Sequence, residues 1–252
     1  MASVASIYRH PVKGLTPEAM VQVQLTAGAY FPHDREYAIE VGTSGFDPDE
    51  PKHISKQRFT VLARFPSLAR LRTRLEDATG AFHIGDAHGF GVEASLATEQ
   101  GRASIERFLQ AFLGEEAPQK LRMLQGPGGH RFMDHPQGFV SVVNLASVRS
   151  VAQAIGQEID PLRFRANIYV DGFKPWAEDE WVASQPLRLG EAQLTVFKPI
   201  VRCIATHVNL DTGARDIDMV AMMREHFARD TLGTYLSVST SGRVAVGDEV
   251  RA

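Results

Sequence analysis

The stretch of sequence that decides the fold is residues 187–207, LRLGEAQLTVFKPIVRCIATH. Its first part carries alternating apolar and polar residues on both sides of Gly190-Glu191, which predicts a β-hairpin. The part that follows is rich in β-branched residues, so we expect an extended segment that continues through Cys203 as far as Val208. Cys203 is the only cysteine among 252 residues. The stretch therefore predicts two paired strands, the second of which leads directly to a lone thiol.

Strand patterns recur along the rest of the chain. Residues 65–75 fit a helix or a strand, and we choose a strand because a turn at residues 77–80 leads to a return strand at 81–84. Residues 236–238 and 244–246 lie on either side of a serine-glycine turn and predict a second hairpin. Alternation or β-branched runs predict further strands at residues 21–25, 37–41, 139–143 and 163–170.

Three helices are predicted between these strands. Ser104 is a suitable N-cap for a helix that ends at Gly114. Asn144 can cap a second helix, which ends at Gly156, and Asp218 can cap the last one. The helices are few and separated, so they do not predict an alternating βαβ sheet.

The order of elements predicts the fold class and the domains. Many short strands with glycine turns predict a mainly β (α+β) protein of two β-barrel-like domains with a few peripheral helices. A polar, glycine-rich passage follows the first helix. We therefore expect one domain over residues 1–118 and a second over residues 119–252.

Composition excludes several function classes. Apolar residues make up 44% of the chain and the formal net charge is −3. Charges of both signs are scattered, so we expect no nucleic acid and no membrane among the partners. The N-terminus lacks the regions of a signal peptide and no apolar run is long enough for a membrane span, which predicts a cytoplasmic protein. One cysteine excludes an internal disulfide and an internal iron–sulfur cluster held by four thiolates.

The lone thiol is the first candidate for chemistry, since the common catalytic motifs are missing. The chain has no GxGxxG after a strand, no GxxxxGK[ST], no HExxH and no GxSxG. Cys203 and His207 have the spacing of a metal pair on a helix, but their neighbours favour an extended segment. On such a segment Arg202 and Cys203 point to opposite sides, so a thiolate needs a metal or another cation. The alternative is an inert buried thiol.

Seven landmarks follow one another along the chain: 7–14 (IYRHPVKG), Gly28 with Asp34-Arg35, 163–168 (RFRANI), 177–181 (AEDEW), 202–206 (RCIAT), 211–213 (DTG) and 247–250 (GDEV). In this order they resemble the MOSC family. The likeness spans essentially the whole chain: the first part resembles the N-terminal β-barrel domain that accompanies MOSC domains, and the second resembles the MOSC domain itself. The mitochondrial amidoxime-reducing component and its bacterial relatives have this organisation.

The resemblance implies a molybdenum cofactor, in which a pterin dithiolene chelates the metal and a protein thiolate adds one further ligand. Cys203 matches that thiolate and is the predicted metal ligand and catalytic residue. A soft thiolate suits such a sulfur-rich metal site. The resemblance also implies cofactor-binding residues: Lys13 and Arg35 at the phosphate end, with Arg165, Asn167 and Tyr235 along the cofactor.

These assignments have structural alternatives. Lys13 and Arg35 can be ordinary solvated charges. Arg165 can be half of a structural ion pair with Glu178 or Asp179, two residues that we interpret as part of the architecture.

The chain also departs from the family pattern at three positions near these residues. Gly14 and Val201 stand where close relatives often have serine, and Ala166 stands where proline is common. The first two departures remove a hydroxyl that could hydrogen-bond a cofactor.

The function implied by the resemblance is that of an oxidoreductase that reduces N-oxygenated or similar small substrates by oxygen-atom transfer. A separate electron-donor protein or reductase would supply the electrons. Two alternatives stay open. One is a sulfurtransferase that carries sulfur as a Cys203 persulfide, with a pyridoxal-phosphate-dependent desulfurase as its partner. The other is a non-catalytic carrier of the molybdenum cofactor.

Overall fold

The structure is a computed structural model that describes residues 1–252, and strands dominate it. The predicted mainly β (α+β) class is confirmed. The helices are α1 (Glu99–Leu113), α2 (Leu145–Ile155) and α3 (Met219–Phe227). The strands are β1 (Ser3–Arg9), β2 (Glu18–Met20), β3 (Gln22–Leu25), β4 (Tyr37–Val41), β5 (Arg72–Glu76), β6 (Ala81–Gly85), β7 (Gly91–Ser95), β8 (Leu121–Gln125), β9 (Val140–Asn144), β10 (Ile168–Asp171), β11 (Leu187–Leu189), β12 (Ala192–Val201), β13 (Thr231–Thr240), β14 (Gly242–Ala245) and β15 (Val250–Arg251).

The largest sheet is a curled half-barrel of eight strands in the order β15-β11-β12-β13-β9-β10-β1-β2. Its pairs are antiparallel except β9 with β10, which are parallel and are joined through α2. The first predicted hairpin is confirmed as β11 and β12, with Gly190 in the left-handed region at its turn. Three register shifts between β12 and β13 bend the strand that leads to Cys203.

Three smaller sheets complete the fold: β14-β3, β4-β8 and β5-β6-β7. Strands from the first 25 residues pair with strands from the second half of the chain, since β1 pairs with β10 and β3 with β14. The N-terminal segment therefore belongs in space to the sheets of the second half. The boundary near residue 118 stays a prediction.

Two large hydrophobic cores lie on either side of this arrangement. One lies among β4, β6 and α1 and includes Ile39, Phe82 and Leu109. The other lies inside the eight-stranded sheet and includes Val142 and Leu194. Each fully buried side chain of this size contributes about 1.5–3 kcal/mol to folding.

The caps of α2 and α3 confirm the predicted starts. The side-chain oxygen of Asn144 accepts from the Ala146 N–H at 3.1 Å, and that of Asp218 accepts from the Ala221 N–H at 3.1 Å. Gly156 ends α2 in the left-handed conformation. None of the three helices has both the length and the apolar character needed to cross a membrane.

The predicted start of α1 at Ser104 is wrong. The helix begins at Glu99, because Thr98 accepts from the Gly101 N–H at 3.1 Å and so caps it six residues earlier. Ser104 lies within the helix, where its hydroxyl donates to the Gln100 carbonyl at 3.1 Å. The predicted end at Gly114 is confirmed.

Two predicted strands are too long. Residues 65–75 split into a 3-10 helix at Pro66–Arg70 and β5, since proline suits the first position of a helix. Residues 163–170 split in the same way. Asp160 caps a 3-10 helix at Pro161–Phe164, a left-handed Arg165 ends it, and only β10 is extended.

The second predicted hairpin is wrong. β13 and β14 are separated by Ser241 alone and do not pair with each other. Both edges of β13 are occupied, by β12 and by β9. β14 instead pairs with β3, where Val244 lies opposite Val23.

Gly14 is a position where a side chain would be strained and would also clash. Its φ is +87° and an added Cβ would overlap the carbonyl oxygen of Thr60, whereas Gly28, with φ +72°, has open space. We expect Gly28→Ala to lower the free energy of unfolding by about 1–2 kcal/mol, the cost of a left-handed alanine. Gly14→Ala should cost about 1–3 kcal/mol more, since the clash adds to it. Urea denaturation of both variants checks this difference, and equal losses would contradict the clash.

Candidate functional site: a basic cavity that ends at Cys203

A cavity of about 320 Å³ lies at the junction of the N-terminal sheets and the eight-stranded sheet. Leu62, which lines it, belongs to the core around β4 and α1. Ser141 lines the opposite side and lies on β9 of the large sheet. Loops after β1, before β4 and after β12 each supply polar lining residues. The cavity therefore exists only when the two halves of the chain are packed together.

Positive charge dominates this cavity. The chain as a whole has a formal net charge of −3, so the charge here is a local concentration. Such a cluster in a partly enclosed cleft attracts anions. One carboxylate, Asp134, and seven basic side chains line the cavity: Lys13, Arg35, Lys56, Arg163, Arg165, Lys198 and Arg202.

Cys203 lies at one end of the cavity, immediately after β12. Its carbonyl accepts from the backbone N–H of Thr206 at 3.0 Å and from the Thr206 hydroxyl at 2.9 Å. These bonds fix a 3-10 helix at Ile204–His207, so the predicted extension beyond Cys203 is wrong. The thiol is partly exposed, and the ammonium of Lys56 lies 3.4 Å from Sγ. The cation beside the thiol is therefore Lys56 and not its sequence neighbour Arg202.

Asp134 connects Lys56 to Lys13. Lys13, only 3% exposed, donates to the carbonyl of Phe132 at 2.9 Å and forms an ion pair with Asp134. The second oxygen of Asp134 accepts from Lys56 at 3.2 Å. The two lysines hold the pKa of Asp134 well below its usual range although burial opposes this, while burial lowers the pKa of Lys13.

Arg35 is held by a buried carboxylate. Asp34 forms an ion pair with its guanidinium and also accepts from the backbone N–H of His10 at 2.6 Å. Arg35 adopts a left-handed φ of 51° and donates to the carbonyl of Arg165 at 3.2 Å. Burial, together with Arg35 and Arg165, lowers the pKa of His10 to about 3. His10 is therefore neutral at pH 7, and the positive partner of the Asp34 carboxylate is Arg35.

Arg165 and Arg202 bring charge to the cavity without a carboxylate partner. Arg165 donates to the carbonyl of Leu15 at 2.8 Å, and burial and Arg35 lower its pKa to about 10. Arg202, 8% exposed, donates to the carbonyls of Phe164 at 2.7 Å and Leu232 at 2.8 Å. The alternative of an ion pair between Arg165 and an acidic residue of the 177–181 landmark is wrong, because those acids have other hydrogen-bond partners.

Tyr235 and Asn167 differ in their access to the cavity. Tyr235 lies on β13 and lines the cavity, where burial raises the pKa of its hydroxyl. Asn167 is fully buried and does not line it. Its side chain donates to the Tyr8 carbonyl at 3.3 Å and accepts from the Ser141 hydroxyl at 2.8 Å. Asn167 can therefore act on the cavity only through Ser141.

The structure thus brings Cys203, Lys13, Arg35, Arg165 and Tyr235 together around one space. Sequence reasoning missed Lys56, Asp134 and Lys198. The only signal for Asp134 was its place in the polar, glycine-rich passage after the first domain. Lys56 carried no signal, since it lies 147 positions from the thiol that it contacts.

The donor set fits an anionic cofactor better than a bare metal ion. No group of three histidine, cysteine, aspartate or glutamate side chains lies close enough to hold a metal. A metal at Cys203 would need its other ligands from a bound molecule. The basic cluster suits the phosphate of that molecule, since arginine and lysine donate to phosphate oxygens. The volume also falls in the range of small-ligand sites, roughly 300–1,000 Å³.

The fold and the cavity define a mainly β protein with a basic cleft that ends at a single thiol. Sequence comparison matches residues 1–118 to the MOSC N-terminal beta barrel domain and residues 129–251 to the MOSC domain. The chain belongs to the family of MOSC proteins that carry this N-terminal domain.

Its relatives include a molybdenum cofactor sulfurase and a mitochondrial amidoxime-reducing component. The chain is 22% identical to a molybdenum cofactor sulfurase of Caenorhabditis briggsae, over 95% of this chain and 34% of that protein. It is 24% identical to human mitochondrial amidoxime-reducing component 1, over 68% of this chain and 56% of that protein. The chain thus spans about a third and about half of these relatives. The YUAD protein of Bacillus subtilis has a TM-score of 0.49 at 14% identity, covering 99% of this chain and 94% of that one.

Asp34 provides a pH-dependent test of the site's framework. The Arg35 guanidinium and the backbone N–H of His10 hold the pKa of Asp34 well below its usual range although burial opposes this. The carboxylate therefore stabilises the fold above its unfolded pKa near 4, and this contribution is lost as the pH falls below that value. We expect Asp34→Asn to lower the free energy of unfolding by about 3 kcal/mol at pH 7, because Arg35 loses its partner.

Urea denaturation at pH 7 and at pH 3.5 measures the free energy of unfolding of this variant and of the unmodified protein. The difference between the two proteins should be smaller at pH 3.5. The exposed Asp49→Asn is the matched control and should leave stability unchanged at both values. If the difference in the free energy of unfolding between Asp34→Asn and the unmodified protein is the same at both pH values, the low pKa of Asp34 is contradicted.

Proposed function

We propose that this protein binds a molybdenum cofactor in the basic cavity and reduces small N-oxygenated substrates with it. The observation that carries the proposal is the placement of one thiol and seven basic side chains, against a single lining carboxylate, around one cavity. Membership of the MOSC family and the likeness to an amidoxime-reducing component support it. A soft metal and a phosphate would each find matching donors here.

Each end of the cavity would have its own task. Cys203 would ligate the metal, with the positive charge of Lys56 close by to favour an anionic sulfur. Lys13 and Arg35 would bind the phosphate end, and Arg165 and Tyr235 would contact the pterin. The carbonyl oxygens that hold the basic side chains would orient them before the cofactor arrives, which lowers the cost of binding.

The reaction must balance electrons, protons and oxygen. An N-hydroxylated substrate takes up two electrons and two protons, its N–O bond breaks, and the oxygen leaves as water. The bound cofactor would supply the two-electron chemistry. A separate donor protein or reductase would deliver the electrons, because the single cysteine cannot build an iron–sulfur cluster held by four thiolates.

The first test is the molybdenum content of Cys203→Ser after expression in a host that makes the cofactor. We expect near-stoichiometric molybdenum in the unmodified protein and a loss of about tenfold or more in the variant. Val201→Ala, an exposed position beside the thiol, is the matched control and should retain the metal. Equal molybdenum in Cys203→Ser and in the unmodified protein would refute the ligand role. Full molybdenum without turnover of any N-hydroxylated compound would instead favour a cofactor carrier.

Sulfur transfer is the second candidate, favoured by the likeness of nearly the whole chain to a molybdenum cofactor sulfurase. In this reaction the Cys203 thiolate attacks the outer sulfur of a persulfide on a pyridoxal-phosphate-dependent desulfurase. A new S–S bond forms on Cys203, and the desulfurase cysteine leaves as a thiolate. No net oxidant is required, since the sulfur is transferred at the same oxidation level.

Mass spectrometry after incubation with such a desulfurase and free cysteine tests this candidate. A mass gain of one sulfur atom is expected on the unmodified chain and none on Cys203→Ser, because the chain has no other thiol. Lys56→Met should slow the gain about tenfold if the ammonium favours the attacking thiolate. A chain that stays free of added sulfur while it binds molybdenum would leave reduction as the function.

A further inference from the structure

A second cavity, of about 360 Å³, adjoins the basic cavity at the thiol. The two cavities share four lining residues, Lys56, Ala63, Arg202 and Cys203. A group bound at Sγ from the first cavity is therefore within reach of a molecule that enters through the second. The second cavity is also the more open to solvent on its α3 side, where Arg224 is 64% exposed.

The walls of the second cavity combine apolar and charged surfaces. Ile204, Val220 and Ala221 form the apolar part, and Ile204 is 47% exposed. These side chains come from the 3-10 helix after Cys203 and from the first turn of α3. Such a surface suits the body of a small organic molecule better than it suits an inorganic ion.

Three cations and one carboxylate face this cavity. Arg202 has only carbonyl acceptors, whereas Lys56 and Arg224 contact carboxylates that do not line the cavity. Asp218, the one lining carboxylate, caps α3 and lies 3.3 Å from Nε2 of His207. The balance of charge is positive, so a cationic molecule is disfavoured here.

We propose that the second cavity is the substrate site and that it takes small N-oxygenated organic compounds that are uncharged or negatively charged. This inference rests on the proposed reductase function and adds the substrate class. The apolar wall would bind the organic body, and Arg224 at the open edge would contact an anionic substituent. The N–O group would then lie beside Cys203, where the two cavities meet.

The unique thiol makes this site testable without any metal. Iodoacetamide adds one carbamidomethyl group to Cys203, and intact-mass spectrometry of the full chain follows the rate. The probes are benzohydroxamic acid and its derivatives with a para carboxylate or a para trimethylammonium group. We expect the carboxylate derivative to slow the alkylation at a concentration about fivefold lower than the trimethylammonium derivative.

Two matched variants show in which cavity a probe binds when it protects Cys203 from alkylation. Arg224 lines only the second cavity and Lys198 only the first. In Arg224→Gln, the concentration of the carboxylate derivative needed to slow the alkylation of Cys203 should rise about fivefold. The concentration of benzohydroxamic acid needed should stay unchanged. Lys198→Gln should change neither, and Arg149→Gln, a distant exposed arginine paired with Asp171, is the general control.

The outcomes separate this inference from the proposed function. Protection that depends on Lys198, or no protection by any of the three probes, overturns the second cavity as the substrate site. Stronger protection by the trimethylammonium derivative overturns the substrate class. Molybdenum analysis of the loaded chain is independent of these readouts, so a chain that shows the expected protection but binds no molybdenum refutes the reductase function alone.

Discussion

Positive charge concentrated around one cavity is the constraint on which the rest of this structure depends. Basic side chains around one cavity repel each other, and desolvation adds to that cost. Carboxylates pair with four of these side chains, namely Lys13, Lys56, Arg35 and Arg163. Two others are held by backbone carbonyls alone: Arg165 donates to Leu15, and Arg202 to Phe164 and Leu232. Carbonyl oxygens neutralise no charge, so the cavity keeps its attraction for an anion while its donors stay satisfied.

The backbone departs from regular structure at several positions around the cavity. Arg35 and Arg165 are both left-handed, which is uncommon for residues with a side chain. Gly14 lies against the carbonyl of Thr60, and Gly233 packs against β9 next to the Arg202 guanidinium, both at positive φ. Strain of this kind persists where the surrounding packing over-determines it, and such positions cluster at functional sites.

The sequence predicted well at two helix starts where the deciding contact is local. Asn144 and Asp218 each accept from an N–H two or three residues further along, so their caps follow from the neighbouring sequence. The same reasoning failed at Ser104, because Thr98 offers an equally good cap six residues earlier. It failed at Arg165 as well, where a 3-10 helix interrupts a pattern that reads as a strand. Local patterns compete there, and tertiary packing selects one of them.

The sequence by itself determined the mainly β class, the starts of α2 and α3 and the presence of a single thiol, because composition and short-range patterns encode these features. Only the tertiary structure decided that β14 pairs with β3, that Lys56 and not Arg202 approaches the thiol, and that Asp134 connects Lys56 to Lys13. These contacts join residues far apart in the chain. No periodicity relates such positions, so their proximity arises from the packing of the two halves.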